Sequence, residues 1–302
     1  MYEYKSRSQI LREADDFLLY GERAVKRICI PKKTGTRILF EPSPEYKAVL
    51  GQLAKLLKQA APASKLACNS VPLVAEALAM LNYRTYRSSK LRQYLLRLDL
   101  TSAFNNVTES LAVSSFQAGT YKAKILAKYI PLYFFENSLP QGFPTSPALF
   151  NLCLKKCEDR IDLERKAHRL DINSTRTKKI VRYVDDFFIY FRSLPKDVPE
   201  GIKQIIRKIE YLLKQYNQSI NHSKTKVYAF EKADLVKAIP ARTGVGFNIL
   251  GMVLDKNKPG FRPTKKARNK ERLYSYLHGK TGSSKELEQL ANGHRGYINA
   301  FK

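Results

Sequence analysis

The 302-residue chain contains no tryptophan, only four cysteines, and half as many acidic as basic residues, 27 against 54. Each shortage narrows what the chain can be. The cysteines, at positions 29, 68, 153 and 157, are too few and too irregular for a disulfide framework. Cys153 and Cys157 share a helix face by spacing, but no second Cys or His pair is placed to complete a zinc site, so the thiols read as reduced and partly buried. No run approaches the roughly 18 apolar residues that span a bilayer. The opening MYEYKSRSQILREADD holds neither an apolar signal core nor a myristoylation pattern. A membrane partner is therefore not expected, and the chain reads as soluble and cytoplasmic. Internal repeats and low-complexity tracts are missing too.

What is present is bulk and positive charge. Apolar residues make up 44% and aromatics 11%, with 18 Tyr and 15 Phe standing in for the absent Trp, which suits a folded globular chain. The formal net charge is +27 and the pI near 9.9. A charge of that size repels itself unless a polyanion is near, so nucleic acid is the expected partner.

Residues 1–28 read as helix. KRICIPKKTGTRILFEP reads as two short strands around a Lys-Thr-Gly-Thr turn. Helical periodicity returns from Tyr46 to about Ala60, where Val49, Leu50, Leu53, Leu56 and Leu57 form one stripe, and again over Val71–Leu81. LLRLDLTSAF begins as a strand and a helical stretch follows over Thr108–Ala127. Residues 147–171 read as a long amphipathic helix, with Pro147 suited to its first turn. IVRYVDDFFIYF reads as a hairpin, 201–217 as a helix, and KTKVYAF and NILGMVL as strands. Strands and helices mix without a regular βαβ alternation, which predicts an α+β fold.

RYVDDFFIYF is the sharpest chemical signal. Two adjacent carboxylates, Asp185 and Asp186, interrupt an apolar strand-forming run, and buried carboxylates are costly unless cations meet them. Hard divalent ions with oxygen ligands would do so; an exposed turn using Asp for its turn preference is the plainer alternative. In LLRLDLTSAFNNV, Asp99 ends an apolar run. As a strand terminus it would lie beside the hairpin carboxylates, while on its own it also suits a helix N-cap. Three carboxylates there would hold two ions about 4 Å apart, the spacing of two-metal phosphoryl transfer. SLPQGFPTSPALFN adds a stiff Pro/Gly loop ahead of a helix, whose backbone amides could face a nucleotide.

Taken in order, LDLTSAF, LPQGFPTSP and YVDD resemble motifs A, B and C of reverse transcriptases. IPKKTGTRILFEP upstream is similar to the fingers motif, and NHSKTKVYAF and ILGM lie where motif D and the primer grip would fall. The resemblance covers roughly residues 28–254. It implies a right-hand polymerase with fingers at 1–95 and 110–138, palm at 96–109 and 139–254, and a short basic helical thumb at 255–302.

The resemblance also implies roles. Asp99, Asp185 and Asp186 match the ligands of two Mg²⁺, for which Mn²⁺ can substitute; one ion would activate the primer 3′-hydroxyl and the other neutralise the triphosphate and leaving pyrophosphate. Lys32, Lys33 and Arg37 match the basic residues that clamp the β- and γ-phosphates, although the two lysines also suit a solvated turn. Phe104 matches the aromatic gate against a 2′-hydroxyl, or is a core phenylalanine. Gln141 and Gly142 match the motif-B pair, and Leu250 and Gly251 fall at the primer grip. Lys224, with Lys226 as a register alternative, matches the motif-D general acid. The thumb would offer Lys265, Lys266, Arg268, Lys270 and Arg272 to the phosphates of an RNA–DNA product duplex, or these would simply solvate a charged helix. Deoxynucleoside triphosphates and an RNA template are the implied substrates.

At 302 residues the chain leaves no room for an RNase H or integrase domain, which suggests the compact bacterial enzymes. LPQGFPTSP is most like the retron type. The retron NAxxH slot instead reads CNSVPLVAEALAML and the VTG signature is missing. The expectation is a retron-like or unknown-group enzyme of antiphage defence, working with a dedicated structured noncoding RNA. An RNA-binding scaffold of maturase type, an RNA-synthesising relative, and untemplated or protein-primed synthesis are the alternatives.

Overall fold

In the computed structural model the described residues are 5–31, 35–60, 63–68, 71–78, 91–230, 236–239, 250, 252–254, 261–263 and 269. The first helix, α1 (Arg7–Tyr20), opens with a reciprocal cap. The Gln9 amide donates to the Ser6 hydroxyl and the Ser6 amide donates to the Gln9 side chain, an arrangement worth about 1 kcal/mol. The helix is shorter than the expected 1–28, because the chain turns extended at Gly21 and enters strand β1 (Val25–Pro31), where Val25, Ile28 and Ile30 favour the pleat. Antiparallel β2 (Thr36–Pro42) pairs with it from Val25 opposite Pro42 to Pro31 opposite Thr36.

Next come α2 (Pro44–Ala60), with Leu50, Leu53, Leu56 and Leu57 buried along one stripe, α3 (Val71–Ala77), and β3 (Arg92–Asp99). The helix expected over 108–127 is two: α4 (Glu109–Gln117) and α5 (Tyr121–Leu126). Thr108 and Thr120 cap them, and the second cap falls just after Gly119, where the first helix has ended. A one-turn helix α6 (Ile130–Tyr133) and the long α7 (Ser146–Lys166) follow, the latter ending five residues before the expected 171. β4 (Arg176–Tyr183) and β5 (Asp186–Ser193) form the expected hairpin, and α8 (Val198–Lys214) buries Val198, Ile205, Ile209 and Leu213. The chain then adds β6 (Lys226–Phe230), β7 (Val236–Ile239), β8 (Met252–Leu254) and β9 (Phe261–Pro263).

The residues group into two compact units. One comprises 1–66, 100–161 and 209–220, and so holds α1, α2, the β1–β2 hairpin and α4 to α6. The other comprises 67–99, 162–208 and 221–302. Its centre is a five-stranded sheet of order β4-β5-β3-β6-β7 in which every neighbouring pair is antiparallel. The fold is α+β, as expected. β5 is buried on both faces: Phe187, Phe188, Ile189, Tyr190 and Phe191 are each at most 1% exposed, and burial of each such side chain contributes about 1.5–3 kcal/mol. A central strand this apolar makes Asp186 at its start conspicuous. No helix among the described residues is long and apolar enough to cross a membrane.

Candidate active site

Strand pairing in the second unit brings two of the expected carboxylates face to face. β3 and β5 run antiparallel with Leu95 opposite Tyr190, Arg97 opposite Phe188, and Asp99 opposite Asp186. Directly opposed residues on neighbouring strands point to the same face. Asp99 and Asp186 are 7% and 6% exposed, so two like charges share a nearly dry strand end. Asp99 caps no helix; the next one begins ten residues later at Glu109.

The third carboxylate sits in the turn. Tyr183 pairs with Asp186, leaving Val184 and Asp185 as a two-residue connection. Val184 has φ 54°, a left-handed conformation that a β-branched residue adopts at a cost of about 1–3 kcal/mol. Buried Arg182 braces it by donating from Nη1 to the Val184 carbonyl at 2.5 Å. The result presents Asp185 half exposed beside Asp186.

Each opposed carboxylate has its own cation. Arg97 donates from Nε and Nη2 to the two Asp186 oxygens, both at 2.8 Å, a fork-to-fork pair. Its guanidinium lies 6.0 Å from the Phe188 ring centroid and hydrogen-bonds with Tyr228. Lys224, in a short 3-10 turn at His222–Lys224, reaches Asp99 at 3.0 and 3.3 Å. The turn is tied to the strand end by the Asn221 amide, which donates to the Asp99 carbonyl at 2.7 Å.

The electrostatics follow from the register. Burial pushes the Asp186 carboxyl above the usual aspartate value; Arg97 pulls it back, and the Asp185 and Asp99 charges push it up again, so it stays raised. Desolvation would lower the Arg97 pKa, but the Asp186 hydrogen bonds and charge outweigh it and hold the guanidinium above its ordinary value. The site is thus an excess of negative charge only partly neutralised by protein cations.

As a donor set, Asp99, Asp185 and Asp186 fit hard divalent ions, which take carboxylate oxygens. Among the described residues, however, no three acidic, His or Cys side chains already converge on a metal position. Asp186 and Asp99 point their oxygens at Arg97 and Lys224 instead.

The remaining expected residues fall in the first unit or outside the described residues, apart from Lys226 and Leu250. Gln141 and Gly142 lie against β2: the Phe40 amide donates to the Gln141 carbonyl at 2.8 Å, and Gly142 has φ 120°. A Cβ on Gly142 would stand 2.4 Å from the Phe40 carbonyl oxygen, so only glycine fits. Phe104 is 9% exposed and stacks on Phe150 with centroids 4.9 Å apart. Its turn is pinned by Gln218, which donates to the Ala103 carbonyl, and by Thr101, whose amide donates to the Ser219 carbonyl. Arg37 is exposed on β2, while Leu250 is half-buried with φ 51°. Lys226 is paired opposite Arg97 in the sheet. Lys32, Lys33, Gly251, Lys265, Lys266, Arg268, Lys270 and Arg272 lie outside the described residues.

Sequence reasoning missed Arg97, Arg182 and Tyr228. Arg97 had a faint signal, a lone charge inside LLRLDL two residues before the carboxylate and hence on the same strand face.

Comparison with known proteins places the chain in a family. The reverse transcriptase (RNA-dependent DNA polymerase) family matches residues 30–276. The curated retron Ec86 reverse transcriptase of Escherichia coli is 25% identical over 202 residues, 62% of this chain. This chain spans 61% of that relative's length. Among solved structures, telomerase from Candida albicans in complex with a fragment of telomeric RNA aligns over 90% of this chain and 50% of its own, with TM-score 0.52 and 12% identity. Telomerase from Candida tropicalis, also with a telomeric RNA fragment, aligns over 97% and 57%, with TM-score 0.51 and 14% identity. At those identities the telomerases speak for the fold alone. With the family match running from β1 through the whole antiparallel sheet, the chain belongs to the reverse transcriptase family and is similar to its bacterial retron branch.

Proposed function

We propose that the chain is an RNA-directed DNA polymerase that adds deoxynucleotides to a primer end, copying a dedicated structured noncoding RNA in bacterial antiphage defence. The observation that carries the reading is the in-register pair Asp99 and Asp186, with Asp185 in the adjoining strained turn. Two Mg²⁺ ions held by these carboxylates would supply activation of the primer hydroxyl and charge neutralisation of the triphosphate and pyrophosphate.

The protein's own groups do the rest. Lys224 is 60% exposed and tethered beside Asp99, so its ammonium can swing to protonate departing pyrophosphate. Arg37 offers an exposed guanidinium fork suited to paired phosphate oxygens. Phe104, held flat by Phe150, is a stiff surface against a ribose 2′-hydroxyl. Gly142 lets the Gln141 carbonyl dock on β2, and this fixed loop is the one we assign to the nucleotide. We assign 1–95 with 110–138 to fingers, 96–109 with 139–254 to palm, and 255–302 to a basic thumb on the product duplex. The net charge of +27 supports an RNA partner, and we assign the protein a cytoplasmic working place.

The test is to sequence the nucleic acid that copurifies with the wild-type protein and with the Asp185→Ala/Asp186→Ala variant. One abundant structured RNA in both, with complementary DNA in the wild type only, is the expected result. RNA in both and DNA in neither would favour an RNA-binding scaffold.

A further inference from the structure

A buried carboxylate needs a cation, and here one is built into the sheet. Arg97 engages both oxygens of Asp186 at 2.8 Å, leaving neither without a charge-assisted donor. Its pose is over-determined: β3 lies between β5 and β6, the Phe188 ring supports the guanidinium at 6.0 Å, and Tyr228 hydrogen-bonds it. The Arg97 side chain is 26% exposed, whereas Lys224, the cation on Asp99, is 60% exposed on a flexible stem. Arg97 is the firmer of the two contacts.

A guanidinium has five donors and no acceptor, so it cannot share a coordination shell with a dication. A charge of +1 gripping both oxygens and a charge of +2 binding the same carboxylate repel each other. Arg97 and a dication therefore compete for Asp186, each weakening the other's hold. Releasing Arg97 breaks two charge-assisted hydrogen bonds, and that cost is subtracted from metal affinity.

We propose that Arg97 is an internal counter-ion that competes with the divalent cation for Asp186, so that loading the site requires the guanidinium to let go. The proposal rests on the reading of Asp99, Asp185 and Asp186 as metal carboxylates. Arg97 is thus a positioning residue with two effects. It keeps Asp186 from being repelled by Asp99 and Asp185 while no ion is bound, and it sets a threshold of metal concentration below which the site stays closed.

The experiment measures Mn²⁺ binding to the full chain by the loss of the free-ion electron paramagnetic resonance signal. Wild type, Arg97→Gln, Arg97→Lys and Asp185→Ala/Asp186→Ala are compared without nucleotide. The glutamine variant is expected to bind Mn²⁺ about tenfold more tightly, the equivalent of about 1.4 kcal/mol. The lysine variant, which keeps the charge but cannot grip in a fork, should fall between. Mn²⁺ should also raise the melting temperature of Arg97→Gln more than that of wild type, since the metal replaces a missing counter-ion. Affinity in both Arg97 variants equal to or weaker than wild type overturns the proposal. Equal Mn²⁺ binding by wild type and the double-alanine variant overturns the metal-site reading beneath it, and the proposal with it.

Discussion

Gly142 gives the most demanding mutational prediction, because its magnitude can be worked from one contact. An alanine Cβ at this position would lie 2.4 Å from the Phe40 carbonyl oxygen and 3.2 Å from the Phe40 carbonyl carbon. Carbon and oxygen normally approach no closer than about 3.3 Å, so the loop must retreat by roughly 1 Å. The retreat stretches the 2.8 Å hydrogen bond from the Phe40 amide to Gln141, worth about 0.5–1.5 kcal/mol. Holding alanine at φ 120° adds about 1–3 kcal/mol of strain. Gly142→Ala should therefore lose about 2–4 kcal/mol, which moves a urea midpoint down by roughly 1 M. Gly51, in the middle of α2 with open space out to 4 Å around the place a Cβ would take, is the control of opposite sign. Gly51→Ala should gain about 0.5–1 kcal/mol of stability. Both are read from equilibrium denaturation followed by circular dichroism. A Gly142→Ala midpoint at or above wild type would refute the account of the motif-B loop.

Replacing Phe104 by Val should erode the preference for deoxynucleotides by at least ~10-fold in kcat/KM ratios, measured by primer extension with each nucleotide class. Arg182→Lys removes the Nη1 donor that braces Val184, so kcat should fall about 10- to 100-fold while RNA affinity in a filter-binding assay stays unchanged. The Asp162 carboxyl is raised by burial but pulled lower overall by hydrogen bonds from Lys166 and Arg165. Because its folded pKa is depressed, its stabilisation is present above the ordinary aspartate value and disappears as pH falls through the lowered one. Asp162→Asn should accordingly be less stable than wild type at pH 7, and the two denaturation midpoints should converge as pH falls through that lowered value.

Much of the site was legible because chemistry and periodicity coincided. YVDD inside an apolar run marked a hairpin whose carboxylates needed cations, and the strand-then-turn pattern of LLRLDLTSAF marked a second carboxylate at a strand end. That Asp99 faces Asp186 depends on register, which no local pattern specifies. The same holds for Arg97, whose partner is a residue 89 positions away. The left-handed turn at Val184 could not be read either, since valine ordinarily avoids it. Among the elements, charged residues that continue past Tyr20 hide the end of α1, while β1 is decided by pairing with β2. The break between α4 and α5 comes from a Thr cap after Gly119, a local signal that the helical period on either side obscures. β7 had little pattern of its own and exists through pairing with β6.

The central claim is that the opposed Asp99 and Asp186 carboxylates, with Asp185, carry DNA synthesis on RNA. Its most direct test is single-turnover extension of a primer on an RNA template with deoxynucleotides and Mg²⁺, comparing wild type with Asp99→Asn and Asp186→Asn and measuring RNA affinity on the same preparations. Extension by wild type, a loss of about 1,000-fold or more in each variant, and unchanged RNA affinity are the predicted results. Extension that survives in either variant, or wild-type protein that binds RNA and extends nothing, would contradict it.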